Sequence, residues 1–319
     1  MSAAPRWTEP PEPSTADGRR RRIGVEIEFA GLSVPPAADA VVSLFGGDQR
    51  WEGAHRAHVE GTRFGDFRVE VDMHLAHRIM KSETERTLRD AVVDLSSTVI
   101  PVEIVCPPIP WDAAHALDDL CALLRQMGAE GTREGLLYAF GVQLNPEPPS
   151  LDIADLLATL RAFFLLRDWL RREIDVDAFR RLWQFEQPFP EGYGRLVLGP
   201  GYLPDIGTFI DDYIDWNPTR DRELDLLPLL CFLDAERVRA AMPQEKINAR
   251  PTWHYRLPNS DIGAPGWSIG KEWARWVKVE RLAARPDLLS EWAGRWLDNA
   301  SHLLPRSWEP EAVDLAAKL

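Results

Sequence analysis

An α+β fold, built on a largely antiparallel sheet with helices on one face, is predicted by three features of the sequence. Strand-like and helix-like segments alternate through the first half of the chain. Each strand segment alternates apolar and polar residues, whereas strands buried on both faces of a parallel sheet are continuously apolar. Two of these segments, joined through Gly61 and Gly65, also have the pattern of a β-hairpin. The sheet is therefore predicted to have one apolar face and one polar face.

The predicted elements are bounded by capping and turn residues. Ser82 and Asp112 begin helices as N-caps, and Gly128 ends the second of these helices. Residues 184–220 are rich in Gly, Pro and aromatic residues and are predicted to form loops. The predicted elements, in order, are a strand at 22–31, a helix at 36–50, a hairpin at 58–74, a helix at 82–98, a strand at 101–108, a helix at 112–128, a strand at 135–147, a helix at 150–181, helices near 221–233 and 234–242, a strand at 248–258 and a helix at 267–282.

The predicted domain organisation follows from composition. The proline-rich residues 1–21 are expected to form a disordered N-terminal tail. Residues 22–305 are expected to form a single domain with a helical and loop insertion at about 150–242, and residues 306–319 are expected to be a C-terminal extension.

Charge and cysteine content exclude several classes of partner. A net charge of −13 leaves no broad basic surface for nucleic acid. The N-terminus lacks an apolar signal segment, and no apolar stretch is long enough to cross a membrane. The 3 cysteines give neither a disulfide framework nor a zinc pattern. We therefore expect a soluble, cytoplasmic protein that binds neither nucleic acid nor membranes.

The polar face of the predicted sheet collects acids, amides and arginines. Residues two apart on a strand share a face, so each strand contributes a set of side chains to this surface. These sets are Glu26 and Glu28; Arg68, Glu70, Asp72 and His74; Glu103 and Val105; Gly141, Gln143 and Asn145; and Arg250, Thr252, His254 and Arg256.

Carboxylates are an unusual choice for this face. Asp and Glu are depleted in strands, and like charges on a sheet repel unless a cation lies between them. Carboxylate oxygens from neighbouring strands suit Mg²⁺, which binds a few carboxylates together with water and phosphate oxygens. A solvated sheet face explains any one of these strands alone, whereas the recurrence of acids favours a metal site.

The order of these motifs resembles that of a known family. Gly24-Val-Glu-Ile-Glu-Phe29 resembles the G-x-E-x-E opening strand of the glutamine synthetase and glutamate–cysteine ligase superfamily, and is closest to its branch of putative amidoligases. Four later segments resemble further strands of that superfamily, namely Phe67-Arg-Val-Glu-Val-Asp72, Pro101-Val-Glu-Ile-Val-Cys-Pro107, Gly141-Val-Gln-Leu-Asn145 and Trp253-His-Tyr-Arg256.

The resemblance implies a glutamine synthetase-like catalytic fold and an ATP- and Mg²⁺-dependent carboxylate–amine ligase. Such an enzyme phosphorylates a substrate carboxylate, and an amine then attacks the acyl phosphate to form an amide or isopeptide bond. The implied substrates are an amino acid, a peptide or a protein. The implied roles are metal binding for Glu26, Glu28 and Glu103; catalysis for Arg256, Arg250 and Asp72; and cofactor binding for Gln143, Asn145, His254 and Arg256.

Two departures from the family pattern leave alternatives open. Gln143 and Asn145 stand where the amidoligase strand commonly reads H-x-H, and His254 replaces the glutamate of the late E-x-R strand. Loss of that carboxylate removes one metal ligand, although a neutral histidine can itself bind a metal. A catalytically degenerate binding module of the same fold is one alternative, and a metal-dependent hydrolase that uses the same carboxylates is another.

Overall fold

The computed structural model describes residues 7–72, 101–133, 140–175 and 187–319. These residues form an α+β structure with seven strands and ten helices. They divide into two compact units, which are described separately below. The first unit comprises the described residues of Ile23–Leu144 and Pro258–Ile269, and the second comprises residues 7–22 with those of Asn145–Leu257 and Gly270–Leu319.

The predicted largely antiparallel sheet is confirmed. Its strands are β1 (Arg22–Phe29), β2 (Asp48–Trp51), β3 (Arg56–Thr62), β4 (Gly65–Val71), β5 (Val102–Val105), β6 (Ile109–Pro110) and β7 (Val142–Pro146). The strand order is β2-β3-β4-β5-β1-β6, and β7 also pairs with β1. The pairings from β2 through β3, β4 and β5 to β1 are all antiparallel.

Alternation along the strands produces the two faces of the sheet. Ile23, Val25 and Ile27 of β1 are completely buried, while the intervening Gly24 and Glu26 are partly exposed. The hairpin between β3 and β4 also forms as predicted, and Gly65 has φ +114° at its turn. This conformation favours glycine because other side chains rarely adopt it.

Helices cover the apolar face of the sheet in the first unit. Helix α1 (Val34–Phe45) packs on β3 and β4, and α2 (Ala116–Gln126) packs against α1. Phe45 stacks on Phe67 of β4, with ring centroids 5.3 Å apart. The burial of apolar residues on this side fixes the orientation of every strand, so the alternate residues must point to the opposite face.

The second unit is mainly helical. Its helices are α3 (Ile153–Ile174), α4 (Glu191–Leu198), α5 (Ile206–Trp216), α6 (Leu227–Leu233), α7 (Ala235–Ala241), α8 (Ile269–Ala283), α9 (Pro286–Ser301) and α10 (Glu309–Ala317), of which α8 begins at the boundary between the units. Helix α3 contacts α4, α9 and α10.

Several predictions about this helical region were wrong. The predicted loop at 184–220 contains α4 and α5. The C-terminal extension predicted at 306–319 includes α10, and its status as an extension stays a prediction. In α4, a Cβ atom on Gly192 would lie 2.5 Å from the ring of Trp216, so this glycine permits close packing rather than a loop. The predicted strand at 248–258 forms only an isolated bridge between Leu224 and Tyr255 in the second unit. The predicted helix at 82–98 lies outside the described residues.

The N-terminal segment differs from the disordered tail that composition predicted. From Trp7 onward it packs within the second unit. The ring of Trp7 is buried and stacks on Trp273 at a centroid distance of 6.0 Å. The indole nitrogen of Trp273 donates a hydrogen bond to the carbonyl of Thr8 at 2.8 Å. A high proline content alone therefore did not indicate disorder here, because the segment also carries an aromatic anchor.

A buried ion pair holds the end of this segment. Arg21 is 2% exposed and donates through both terminal nitrogens to the two carboxylate oxygens of Glu280 on α8. The Nε atom of Arg21 donates to the carbonyl of Glu147, and the indole of Trp276 donates to Glu280. Both charges are therefore compensated by bidentate and additional hydrogen bonds, as burial requires.

We expect Arg21→Met to lower the free energy of unfolding by about 3–5 kcal/mol, because it leaves the carboxylate of Glu280 buried without its cation. Urea denaturation monitored by tryptophan fluorescence measures this change. The exposed neighbour Arg22 provides a control, and Arg22→Met should change the free energy by less than about 0.5 kcal/mol. Equal effects of the two substitutions would contradict the assigned role of the ion pair.

Candidate functional site

The sheet register of the first unit aligns three glutamates across neighbouring strands. Glu28 of β1 lies directly opposite Glu103 of β5, and Glu103 lies directly opposite Glu70 of β4. Directly opposed residues on antiparallel strands have Cβ atoms about 4.5–5.5 Å apart. We call Glu28, Glu103 and Glu70 the acidic row.

The central member of the acidic row, Glu103, is surrounded by other negative charges. Burial raises the pKa of Glu103 well above its ordinary value, because the charged carboxylate loses solvation. Neighbouring negative charges raise this pKa further, and they belong, in decreasing order of effect, to Glu26, Glu28, Asp72 and Glu70. The predicted metal ligands Glu26, Glu28 and Glu103 are therefore electrostatic neighbours, as is Asp72.

Glu28 is held in place by β7 and by the residue preceding it. The backbone nitrogen of Gly141 donates to one carboxylate oxygen of Glu28 at 2.8 Å. The side-chain amide of Gln143 donates to the other oxygen at 3.1 Å. Glu28 is only 9% exposed, so these two donors offset much of the cost of burying its charge. Gln143, predicted to bind a cofactor, thus contacts a predicted metal ligand.

Glu26 and Asp72 flank the acidic row. Glu26 lies two residues before Glu28 on the same face of β1 and is paired in register with Val105 of β5. Asp72 follows the last residue of β4, and its backbone nitrogen donates to the carbonyl of Pro101 at 2.9 Å. Along the strand direction, Glu26 therefore lies on one side of the row and Asp72 on the other.

Two arginines at the edge of the acidic row were not among the predicted site residues. Arg56 of β3 is paired in register with Glu70 and donates through Nε to one of its oxygens. Arg68 of β4 donates through Nε to the other oxygen of Glu70 at 2.7 Å. The alternation pattern did place Arg68 and Glu70 on the polar face, but only the register shows that Glu70 belongs to the acidic row.

The acidic row supplies oxygen donors of the type that divalent cations bind. Several carboxylates on one face, with the central one strongly destabilised in its charged form, provide hard oxygen donors and a negative potential. Among the described residues, no group of three or more His, Cys, Asp or Glu side chains is arranged to hold a metal ion. The register thus brings the predicted ligands together on one surface, and coordination of Mg²⁺ by them stays a prediction.

The second unit contains His254, whose partner is a buried aspartate. The Nδ1 atom of His254 lies 3.2 Å from a carboxylate oxygen of Asp225, and both side chains are buried. Arg220 donates to the same oxygen, and the backbone nitrogen of Leu227 donates to the other at 3.0 Å. Burial opposes ionisation of Asp225, but the hydrogen bond and charge of His254, together with the charges of Arg220 and Arg256, outweigh it, so the pKa of Asp225 is lowered.

The predicted arginines also lie in the second unit. Arg256 donates to the backbone carbonyl of Arg220 and lies 3.6 Å from a carboxylate oxygen of Asp221. The backbone nitrogen of Arg250 donates to the carbonyl of Pro228 at 3.0 Å. Asn145, at the end of β7, is buried. The roles predicted for these three residues in catalysis and cofactor binding stay predictions.

Within the described residues, no helix is long and apolar enough to cross a membrane.

Comparison with known proteins gives a family but no individual match. No curated protein and no solved structure matches the chain. The model of a family described as "putative amidoligase enzyme" matches residues 19–278, which include β1 to β7 and therefore every strand that carries the acidic row. The predicted family is thus confirmed, and the chain belongs to the family of putative amidoligase enzymes.

Proposed function

We propose that this protein is an ATP- and Mg²⁺-dependent carboxylate–amine ligase that forms an amide or isopeptide bond through an acyl phosphate. Membership of the amidoligase family supports the formation of an amide bond. The acidic row is the single observation on which the dependence on Mg²⁺ and ATP rests, since it gathers carboxylates beside a glutamate whose pKa is strongly raised. A glutamine synthetase-like catalytic fold forms part of this proposal.

The reaction explains why such a concentration of charge is useful. A substrate carboxylate and the γ-phosphate of ATP are both anions, so they repel unless positive charge lies between them. When bound, Mg²⁺ supplies that positive charge to the phosphate oxygens. Glu26, Glu28 and Glu103 would hold the cation, and Gly141 and Gln143 orient Glu28 for this role through their hydrogen bonds.

The remaining roles are proposed from the family motifs. Arg256, with Arg250 as second choice, would stabilise the transferring phosphoryl group, because a guanidinium binds phosphate oxygens as a planar fork. Asn145 and His254 would bind the nucleotide, and Asp72 would assist catalysis. The substrates would be a carboxylate and an amine on an amino acid, peptide or protein. A cytoplasmic location is consistent with the free, buried state of Cys106, Cys121 and Cys231.

A non-catalytic binding module is the second candidate, and one observation favours it. His254 occupies the position where the family motif commonly has a glutamate, and it contacts the buried carboxylate of Asp225. A glutamate there would repel Asp225, whereas a histidine attracts it. This position thus contributes a stabilising contact in the second unit, which requires no catalytic role.

ATP turnover separates the two candidates. We expect the purified protein to release ADP from ATP in the presence of Mg²⁺ and a panel of amino acids, and mass spectrometry to detect an amide product. Glu26→Gln should reduce turnover by more than about 100-fold. Loss of an outer hydrogen-bond partner of a metal ligand costs about 10–100-fold in activity, and loss of the ligand itself costs more. Arg256→Ala should reduce it by about 100-fold or more.

Glu60→Gln is the matched control for Glu26→Gln. Glu60 lies on β3, is exposed and pairs with Arg50, away from the acidic row. Its substitution should leave turnover unchanged. If the protein neither binds nor consumes ATP with any acceptor, the ligase proposal fails and the binding module is favoured.

Gln143 provides a second test that does not depend on the substrates. Gln143→Leu removes the amide that donates to Glu28, and we expect Mg²⁺ affinity to fall by about 10–100-fold. Isothermal titration calorimetry with Mg²⁺ alone measures this change. An affinity equal to that of the unmodified protein would show that the contact does not orient a metal ligand.

The raised pKa of Glu103 predicts the pH dependence of stability without metal. Because this pKa lies above the ordinary value of 4.5, protonation of the Glu103 carboxyl stabilises the folded state. This stabilisation is fully present below pH 4.5. The free energy of unfolding in EDTA should therefore lose this contribution as the pH rises from 4.5 through the folded-state pKa. Glu103→Gln should abolish this loss, so the variant becomes more stable relative to the parent as pH rises. A difference between the two proteins that does not change with pH would contradict the assignment.

A further inference from the structure

A second row of side chains runs beside the acidic row and, among the described residues, has a short side chain between two long ones. Arg68 of β4 and Glu26 of β1 are both paired in register with Val105 of β5, one from each side. These three residues lie on the polar face of the sheet, and Val105 is partly exposed. A short apolar side chain thus separates a guanidinium from a carboxylate across three neighbouring strands. We call this the Val105 gap.

The size of the Val105 gap suits an oxyanion. Neighbouring strands lie about 4.8 Å apart, so the backbones of Arg68 and Glu26 are about 10 Å apart at this row. Both residues have side chains long enough to extend over a valine. A phosphate or carboxylate group placed above Val105 could therefore contact the guanidinium on one side while it faces the carboxylates on the other.

Arg68 is oriented and still has donors available. Its Nε atom donates to Glu70 at 2.7 Å, and its two terminal nitrogens have no partner among the described residues. The side chain is 43% exposed, so these nitrogens can reach a ligand. Glu70 is in turn held by Arg56 through its second oxygen, which fixes the carboxylate that orients Arg68.

The charges on the two sides of the Val105 gap are complementary to a metal-bound oxyanion. Glu26, Glu28 and Glu103 face it from the side of β1 and β5, and would repel a bare anion. A divalent cation on these carboxylates reverses that sign, so that an anion would then be attracted from both sides. An arginine with no carboxylates opposite would bind anions unconditionally, whereas this arrangement makes anion binding depend on the metal.

We propose that Arg68 and the Val105 gap form an oxyanion subsite, which binds the phosphate oxygens of the nucleotide or the carboxylate of the acyl substrate when a divalent cation occupies the acidic row. This inference rests on the proposed function, which supplies both the cation and the two oxyanions. Arg68 is then a specificity-determining residue that contacts the substrate directly. This role of Arg68 does not depend on any role of Arg256.

The test measures binding rather than turnover. Mn²⁺, which takes the same oxygen ligands as Mg²⁺, is titrated first and followed by electron paramagnetic resonance. Inorganic phosphate, a non-hydrolysable ATP analogue and L-glutamate are then titrated separately into the Mn²⁺-loaded protein. Arg68→Ala should leave Mn²⁺ affinity within about twofold and weaken at least one anion by about tenfold or more, since two charge-assisted hydrogen bonds are lost.

Two further variants sharpen the result. Val105→Phe fills the Val105 gap without removing a charge, so it should weaken the same anion while Mn²⁺ affinity is retained. Arg50→Ala is the matched control, because Arg50 lies on the same sheet face, is 56% exposed and pairs with Glu60 outside the acidic row. It should change neither affinity. Thermal denaturation confirms that each variant is folded.

The outcomes are distinct. Weaker binding of phosphate and the ATP analogue assigns the subsite to the nucleotide. Weaker binding of L-glutamate alone assigns it to the acyl substrate. Both results support the proposal. Anion affinities that are unchanged in Arg68→Ala while Mn²⁺ still binds overturn the subsite and leave the ligase proposal intact. Failure of the parent protein to bind Mn²⁺ overturns the metal-dependent function itself, and the subsite with it.

Discussion

Repulsion between aligned carboxylates is the constraint on which the polar face of the first unit depends. The register places Glu28, Glu103 and Glu70 opposite one another on three strands, where like charges destabilise a sheet. The strands cannot slip to relieve this repulsion, because a shift of one residue would move the buried apolar side chains of β1 into solvent. Burial of the apolar face thus keeps the strands paired despite the repulsion on the polar face.

Hydrogen bonds and ion pairs distribute this repulsion unevenly. Glu28 accepts from a backbone nitrogen and an amide at one end of the acidic row, and Glu70 accepts from two arginines at the other end. Glu103, in the middle, has the raised pKa. A cation beside Glu103 would therefore offset the charges of several carboxylates at once, and the outer members of the row are held in place by donors that are not part of it.

The sequence predicted the two faces of the sheet and grouped Glu26, Glu28 and Glu103 on neighbouring strands, but it did not give the register of those strands. Alternation along each strand depends on local geometry, so the polar positions of β1, β4, β5 and β7 could be assigned from residue order. Register depends on contacts between distant segments, and for that reason Glu70 and Arg68 were not recognised as neighbours of Glu103 and Glu26. Helix α4 of the second unit was missed for a different reason. Glycine usually marks a loop, but in α4 it lets aromatic rings approach the helix backbone.

Gln143 has a consequence for how the site responds to its surroundings. The corresponding family strand commonly carries histidines, whose charge changes near pH 6.5. A primary amide does not titrate in the physiological range, so Gln143 stays an uncharged donor to Glu28 from acidic to alkaline conditions. In this chain the side-chain donor to Glu28 does not respond to proton concentration, so any acidity dependence of this contact must originate in the carboxylate that accepts it.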